Sequence, residues 1–207
     1  MARDTKQETR DRVLEAAERL FLVRGYTRVT IEDIASKAGY TRGAVYSSFA
    51  GKDEIFVALI DLRFDRQIDS AWSSLSASLT SEARLATLGR WMAAEFERAR
   101  DWSTAEIEFA AHAATKPALR ARLADMQRDG RRDLAAFLSE QCAAAGVTPP
   151  FDPEMLALVI SSLARGLMVE WMVDLTTDVA GAFTATFNAL LSPVGAPCPV
   201  PDAPLTH

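Results

Sequence analysis

Residues able to carry covalent or metal chemistry are few in this 207-residue chain, and they do not assemble into a site. The only histidines are His112 and the terminal His207, and the cysteines Cys142 and Cys198 have no metal-ligand spacing. No Gly-x-Ser-x-Gly elbow and no phosphate-cradling glycine loop occurs. Catalytic residues, a metal site and a cofactor are therefore not expected. What remains is hydrogen-bond donation. Arg42 can give two parallel donors to guanine O6 and N7, while Gly43 and Ala44 let the backbone come close and Ala44 can meet a thymine methyl.

Such a group needs one helix to carry it and another to hold that helix in place. Residues 30–49 read TIEDIASKAGYTRGAVYSSF, with apolar positions Ile31, Ile34, Ala35 and Ala38, then Ala44, Val45 and Phe49, at helical spacing. Thr30 and Thr41 are placed to cap the two helices, with Asp33 completing a near capping box, and Gly39 sits where a left-handed residue ends the first. Helix, short glycine turn, helix is the pattern that lays a second helix in the DNA major groove. Residues 5–25, with Val13, Ala16, Ala17, Leu20 and Phe21 on one face, are expected to roof the pair.

The net charge of −5 argues against a nucleic-acid partner until its distribution is considered. Up to Lys52 there are ten Lys and Arg against seven acids, and after it thirteen against twenty-one. A basic head on an acidic body suits local contact with phosphates. Arg3, Lys6 and Arg10 can reach the minor groove or flanking phosphate, or can be a solvated tail. The cysteine usage fits a reduced cytoplasm, and neither a signal peptide nor a membrane span is expected, because Arg165, Glu170 and Asp174 interrupt the apolar stretch 155–175.

The remainder is patterned as helices: a long rod from Lys52 through about Ser74, then 82–100, 104–115, 117–146, 153–175 and 179–191. Asp152 and Pro153 introduce the helix of 153–175, whose apolar residues run around most of its circumference. A helix apolar nearly all round must be covered nearly all round, which points to a homodimer through 153–175 and 179–191, or else to the central helix of a monomer. Trp72, Trp91, Met92, Phe96, Phe109, His112, Met126, Phe137, Met168, Trp171 and Met172 have the composition of a mostly apolar pocket, although each also suits ordinary core.

Residues 10–60, above all RVLEAAERLF and RGYTRVTIEDIASKAGYTRGAVYSSFAGKDEIF, resemble the DNA-binding domain of the TetR family of bacterial transcriptional regulators. The resemblance implies an all-α protein. Residues 1–51 form a three-helix helix-turn-helix domain (helices about 6–25, 31–38 and 42–48), joined by a long helix to a helical ligand-binding and dimerisation domain, 52–191. The proline-rich tail 192–207 is expected to be disordered. It further implies a cytoplasmic homodimer, usually a repressor, that binds a double-stranded operator and is released by a small-molecule effector. Carried over, Thr30 and Lys52 match phosphate contacts at helix starts and Tyr46 the tyrosine of the reading helix; Thr41 is read from its own position as a cap, with a phosphate contact additional to that. Arg42, Gly43, Ala44 and Ser47 match the part that enters the groove, and Ser47-Ser48 departs from the histidine or aromatic often found before the phenylalanine.

Overall fold

The computed structural model describes the backbone of residues 5–74 and 81–191. The side chains of Trp72, Met92 and Phe96 and the whole proline-rich tail lie outside the described residues. Among the described residues every regular element is a helix: α1 (Lys6–Arg24), α2 (Ile31–Ala38), α3 (Arg42–Tyr46), α4 (Lys52–Ser74), α5 (Ser81–Ala114), α6 (Pro117–Ala145), α7 (Pro153–Val173) and α8 (Val179–Leu191).

Local chemistry sets many of the boundaries. Thr5 accepts from the Glu8 amide while the Glu8 carboxylate accepts from the Thr5 amide, which satisfies two donors that the start of α1 leaves without helical partners. Asp152 caps α7 through the Met155 amide, with Pro153 in the first turn where its missing N–H costs nothing. Two boundaries differ from the periodicity. The reading helix ends at Tyr46 rather than 48, because the Ser47 hydroxyl donates to the Ala44 carbonyl and an arginine side chain takes the Ser48 carbonyl. In place of two helices over 82–100 and 104–115 there is one, α5. Trp102 and Ser103, read from sequence as part of an interruption, are 2% and 6% exposed, and their packing carries the helix through weak local propensity.

The described residues pack as two compact units, one comprising 5–73 with 95–131, the other Ser74 and 81–94 with 132–191. The unit that carries α1 to α3 thus extends past residue 51 to take in α4, the second half of α5 and the first half of α6. Its core is aromatic: Phe21, Tyr26, Phe56, Trp102 and Phe109 are all buried, joined by the aliphatic residues Val13, Ile34, Val45, Ile55 and Leu59. In the second unit Phe137, Leu138, Leu156, Ile160, Met168, Phe183 and Phe187 are buried. There α7 keeps Met155, Leu158, Val169 and Met172 exposed. By length and mean hydropathy (1.6) α7 could cross a membrane, yet its exposed positions include Arg165 and Glu170.

Candidate nucleic-acid interface

The reading head is built from short-range hydrogen bonds on a hydrophobic floor. Thr30 accepts from the Asp33 amide, and the Asp33 carboxylate accepts from the Thr30 amide and hydroxyl. Hydrogen bonding from Thr30, first from its hydroxyl, holds that carboxyl below the ordinary range. Gly39 closes α2 at φ 77°, ψ 27°, a left-handed conformation that glycine adopts without steric cost. Thr41 then accepts from the Ala44 amide and starts α3. Ile31, Ile34, Ala35 and Ala38 from α2 and Val45 from α3 are buried, so the hydrophobic effect pins one side of each helix inward.

The opposite side of α3 faces solvent. Thr41, Arg42, Gly43, Tyr46 and Ser47 are exposed, Tyr46 at 47%, and Ala44 is half-buried. Arg42 Nη1 lies 2.7 Å from Glu32 Oε1, and its guanidinium sits 6.0 Å from the centre of the Tyr46 ring. A Cβ built on Gly43 would meet nothing closer than the Thr41 hydroxyl at 3.9 Å, so the fold does not demand glycine there.

Two expected DNA contacts are turned inward. Lys52 Nζ donates to the carbonyls of Tyr26 (3.0 Å) and Val29 (2.8 Å) and lies 4.2 Å from the Tyr26 ring centre, leaving one donor for a phosphate. Burial lowers its pKa, against the opposing pull of Asp53 and Glu108. Arg10 is neither a free tail nor poised for the minor groove. It stacks 4.2 Å over Phe49 and donates to the Ser48 carbonyl at 3.3 Å, where a cation suits the carbonyl-rich end of α3.

The head is braced from α4, α5 and α6 within the same unit. Asp53, in the first turn of α4, accepts from the Tyr26 hydroxyl and from Lys116 Nζ (3.0 Å), and the His112 ring nitrogen lies 3.3 Å from both its oxygens. On α5, Glu108 accepts from the Thr27 amide at 2.7 Å and fills the space beside Gly25, where a Cβ would stand 2.7 Å from its oxygen. Burial and the bond to Asp53 push the Tyr26 phenol far above its ordinary pKa. For Asp53, partial burial pushes the carboxyl up, but bonds from Tyr26, Lys116 and His112 outweigh it and hold it below the usual range.

A folded pKa below the unfolded one stabilises the protein above about pH 4, and this contribution is lost as pH falls through the folded value. Asp53→Asn is therefore expected to cost about 1–2 kcal/mol at pH 7, the scale of charged hydrogen bonds reduced for a partly exposed group. The deficit should shrink below about pH 4. Urea midpoints at neutral and acid pH check this, and an equal deficit at both would assign the effect to packing.

The candidate pocket residues do not share one unit. Phe109 is 1% exposed, with Phe56 4.5 Å and Tyr26 5.0 Å from its ring centre, so its faces are already covered. His112 is 5.2 Å from the Tyr26 ring and committed to Asp53, and Met126 packs against the same core. These three pack against the core of the unit that carries the head. Trp91, Phe137, Met168, Trp171 and Met172 belong to the other unit, where Phe137 and Met168 are buried and Trp91 and Trp171 half-buried. Among the described residues no cluster of His, Cys, Asp and Glu could hold a metal. Glu32 and Asp53 carry no site role in the sequence, and Glu108 reads there as a possible partner for a cationic ligand or as a solvated side chain; their actual partners are brought to them by tertiary packing.

Residues 13–59 match the family model for bacterial regulatory proteins of the tetR family, and residues 64–192 match that for the C-terminal domain of BetI-type transcriptional repressors. The chain belongs to the TetR family. TetR-family proteins are helix-turn-helix transcriptional regulators that bind DNA and are not enzymes; the chain spans less than half the length of the first curated relatives it matches. It is 53% identical over 64 residues to the regulator TtgR of Pseudomonas putida, a match spanning 30% of this chain and 30% of TtgR. A Rhodococcus sp. protein assigned to the TetR-family regulators superposes with a TM-score of 0.74 at 21% identity, over 90% of this chain and 100% of the other. The SmeT–triclosan complex superposes at 0.63 and 24% identity, over 96% and 99%. At such identities the two structures speak for the all-α fold alone.

Proposed function

We propose that the protein is a ligand-responsive repressor that binds a pseudo-palindromic operator as a homodimer and leaves it when a small, largely apolar effector enters the helical region of residues 52–191. The carrying observation is the outward surface of α3, where Arg42, Gly43, Tyr46 and Ser47 face solvent while Val45 is buried. In this reading Arg42 meets a guanine edge, Gly43 and Ala44 permit close approach, and Thr30, Thr41, Tyr46 and Ser47 contact phosphate or base edges. Lys52 contributes its remaining donor. The match of residues 64–192 to the C-terminal domain of BetI-type repressors supports repression. The protein works in the cytoplasm, beside its DNA.

The exposed face of α7 supports the dimer. Met155, Leu158, Ser162, Arg165, Val169 and Met172 are exposed at alternating steps of three and four residues. A stripe of that period, mainly apolar, suits a second copy of the same helix across a twofold axis, with α8 alongside. Sedimentation at micromolar concentration should give a dimer, and a monomer there would remove this inference. Two heads on a twofold axis read half-sites about one helical turn, ~34 Å, apart, and an effector that altered their separation would cost both contacts.

A mobility-shift series on genomic fragments, with and without hydrophobic metabolites, tests the whole reading. Specific binding that a metabolite abolishes supports it. Specific binding indifferent to every compound makes the protein a constitutive DNA binder, and absence of specific binding makes it a helical small-molecule binder whose head no longer reads.

A further inference from the structure

Glu32 is the second residue of α2 and Arg42 the first of α3, and their side chains meet across the turn at 2.7 Å. The side chains are 53% and 59% exposed, so as a brace the pair adds at most about 1 kcal/mol. The fold does not need that brace: α2 and α3 are already joined by the Gly39 turn, the Thr41 cap and the buried Ile34, Ala35, Ala38 and Val45. On a surface that faces phosphates, a carboxylate opposes binding. The other acid of that helical turn, Asp33, is withdrawn into the Thr30 cap and lies 3.3 Å from Arg24. Glu32 is directed instead at the one guanidinium of α3.

A guanidinium has five N–H donors in a planar fork. The contact to Glu32 uses Nη1, which leaves an edge of the fork with two donors for the O6 and N7 of a guanine. The Tyr46 ring, 6.0 Å from the guanidinium carbon, limits its swing on another side. Without Glu32, the flexible side chain of Arg42 could fall onto the nearest phosphate, a contact that every sequence offers equally.

We propose that Glu32 is a specificity-determining residue of the reading head: it orients the Arg42 guanidinium toward a base edge and keeps it from phosphate, weakening binding to DNA that lacks a guanine at that position. This rests on the reading that Arg42 enters the groove. An exposed ion pair suits the role, since water and a base edge can exchange for it at little cost.

The test uses the full chain with two duplexes, one selected by the wild-type protein from a random library and a scrambled one of the same composition. Binding is measured by fluorescence anisotropy across a salt series for wild type, E32Q, R42A and the double variant, after matched thermal melts establish equal folding. For E32Q the scrambled duplex should bind about 3- to 10-fold tighter with a steeper salt slope, as removal of one opposing charge implies. The selected duplex should tighten less, so that the ratio of the two affinities falls. In the R42A background E32Q should shift both duplexes by the same factor. An E32Q ratio equal to or above that of wild type overturns the proposal and leaves Glu32 as surface charge. An R42A ratio equal to that of wild type overturns instead the reading on which the proposal rests.

Discussion

Phe56→Ala is expected to destabilise the protein by about 3–5 kcal/mol, the range for removing a buried phenyl ring that its surroundings cannot replace. Phe56 is fully buried on α4, with Trp102 stacked on it at 4.8 Å and Phe109, Phe21 and Tyr26 at 4.5, 5.0 and 5.1 Å between ring centres. These rings come from α1, the α1–α2 loop and α5, so one truncation opens a cavity where all of them meet. Side chains held in close-packed ring contacts collapse little into such a space. Against a total stability of about 5–15 kcal/mol for a domain, the loss is large enough to populate unfolded protein at physiological temperature. Urea unfolding should show a lower midpoint with little change in slope, and DNA binding should fall in proportion to the folded fraction. A deficit below about 1 kcal/mol would mean that the aromatic cluster is not the support of the head. Phe56→Leu, which retains most of the volume, should cost less than about 1.5 kcal/mol.

Arg42→Ala should do the converse, sparing the fold and costing roughly 1–3 kcal/mol of sequence-specific binding, about 5- to 150-fold. The side chain is 59% exposed and its one ion pair is surface-located, so thermal stability should move by little. If a guanine is read by two donors, their loss removes discrimination at one position per half-site while other positions keep theirs. Anisotropy against the selected operator and against single-base variants measures this directly. Equal affinity of variant and wild type for the operator would take Arg42 out of the reading set.

These two residues mark the limit of what is legible without the structure. Phe56 stands in an apolar stripe that periodicity reveals, but nothing in the order of residues tells that Trp102 and Phe109, some fifty positions on, complete its shell. Phe109 and His112 therefore read as candidate pocket lining, whereas packing assigns them to the head. Arg10 and Lys52 show the same limit for charge. A cation near a helix-turn-helix reads as a phosphate contact, yet both spend donors on backbone carbonyls left open at loop and helix ends.

What the order of residues determined is what acts over three or four positions: the caps at Thr30, Thr41 and Asp152, the left-handed glycine at position 39, and the buried stripes of α1 and α2. Together these specify an all-α chain with a helix-turn-helix, because hydrogen bonds between near neighbours and helical periodicity are local properties. Tertiary structure alone decided that α5 runs unbroken through Trp102 and Ser103, that Asp53 gathers Tyr26, His112 and Lys116, and that Glu32 faces Arg42. The physical reason is that burial and charge pairing depend on which distant segments the core brings together, and a short-range pattern does not encode the partner.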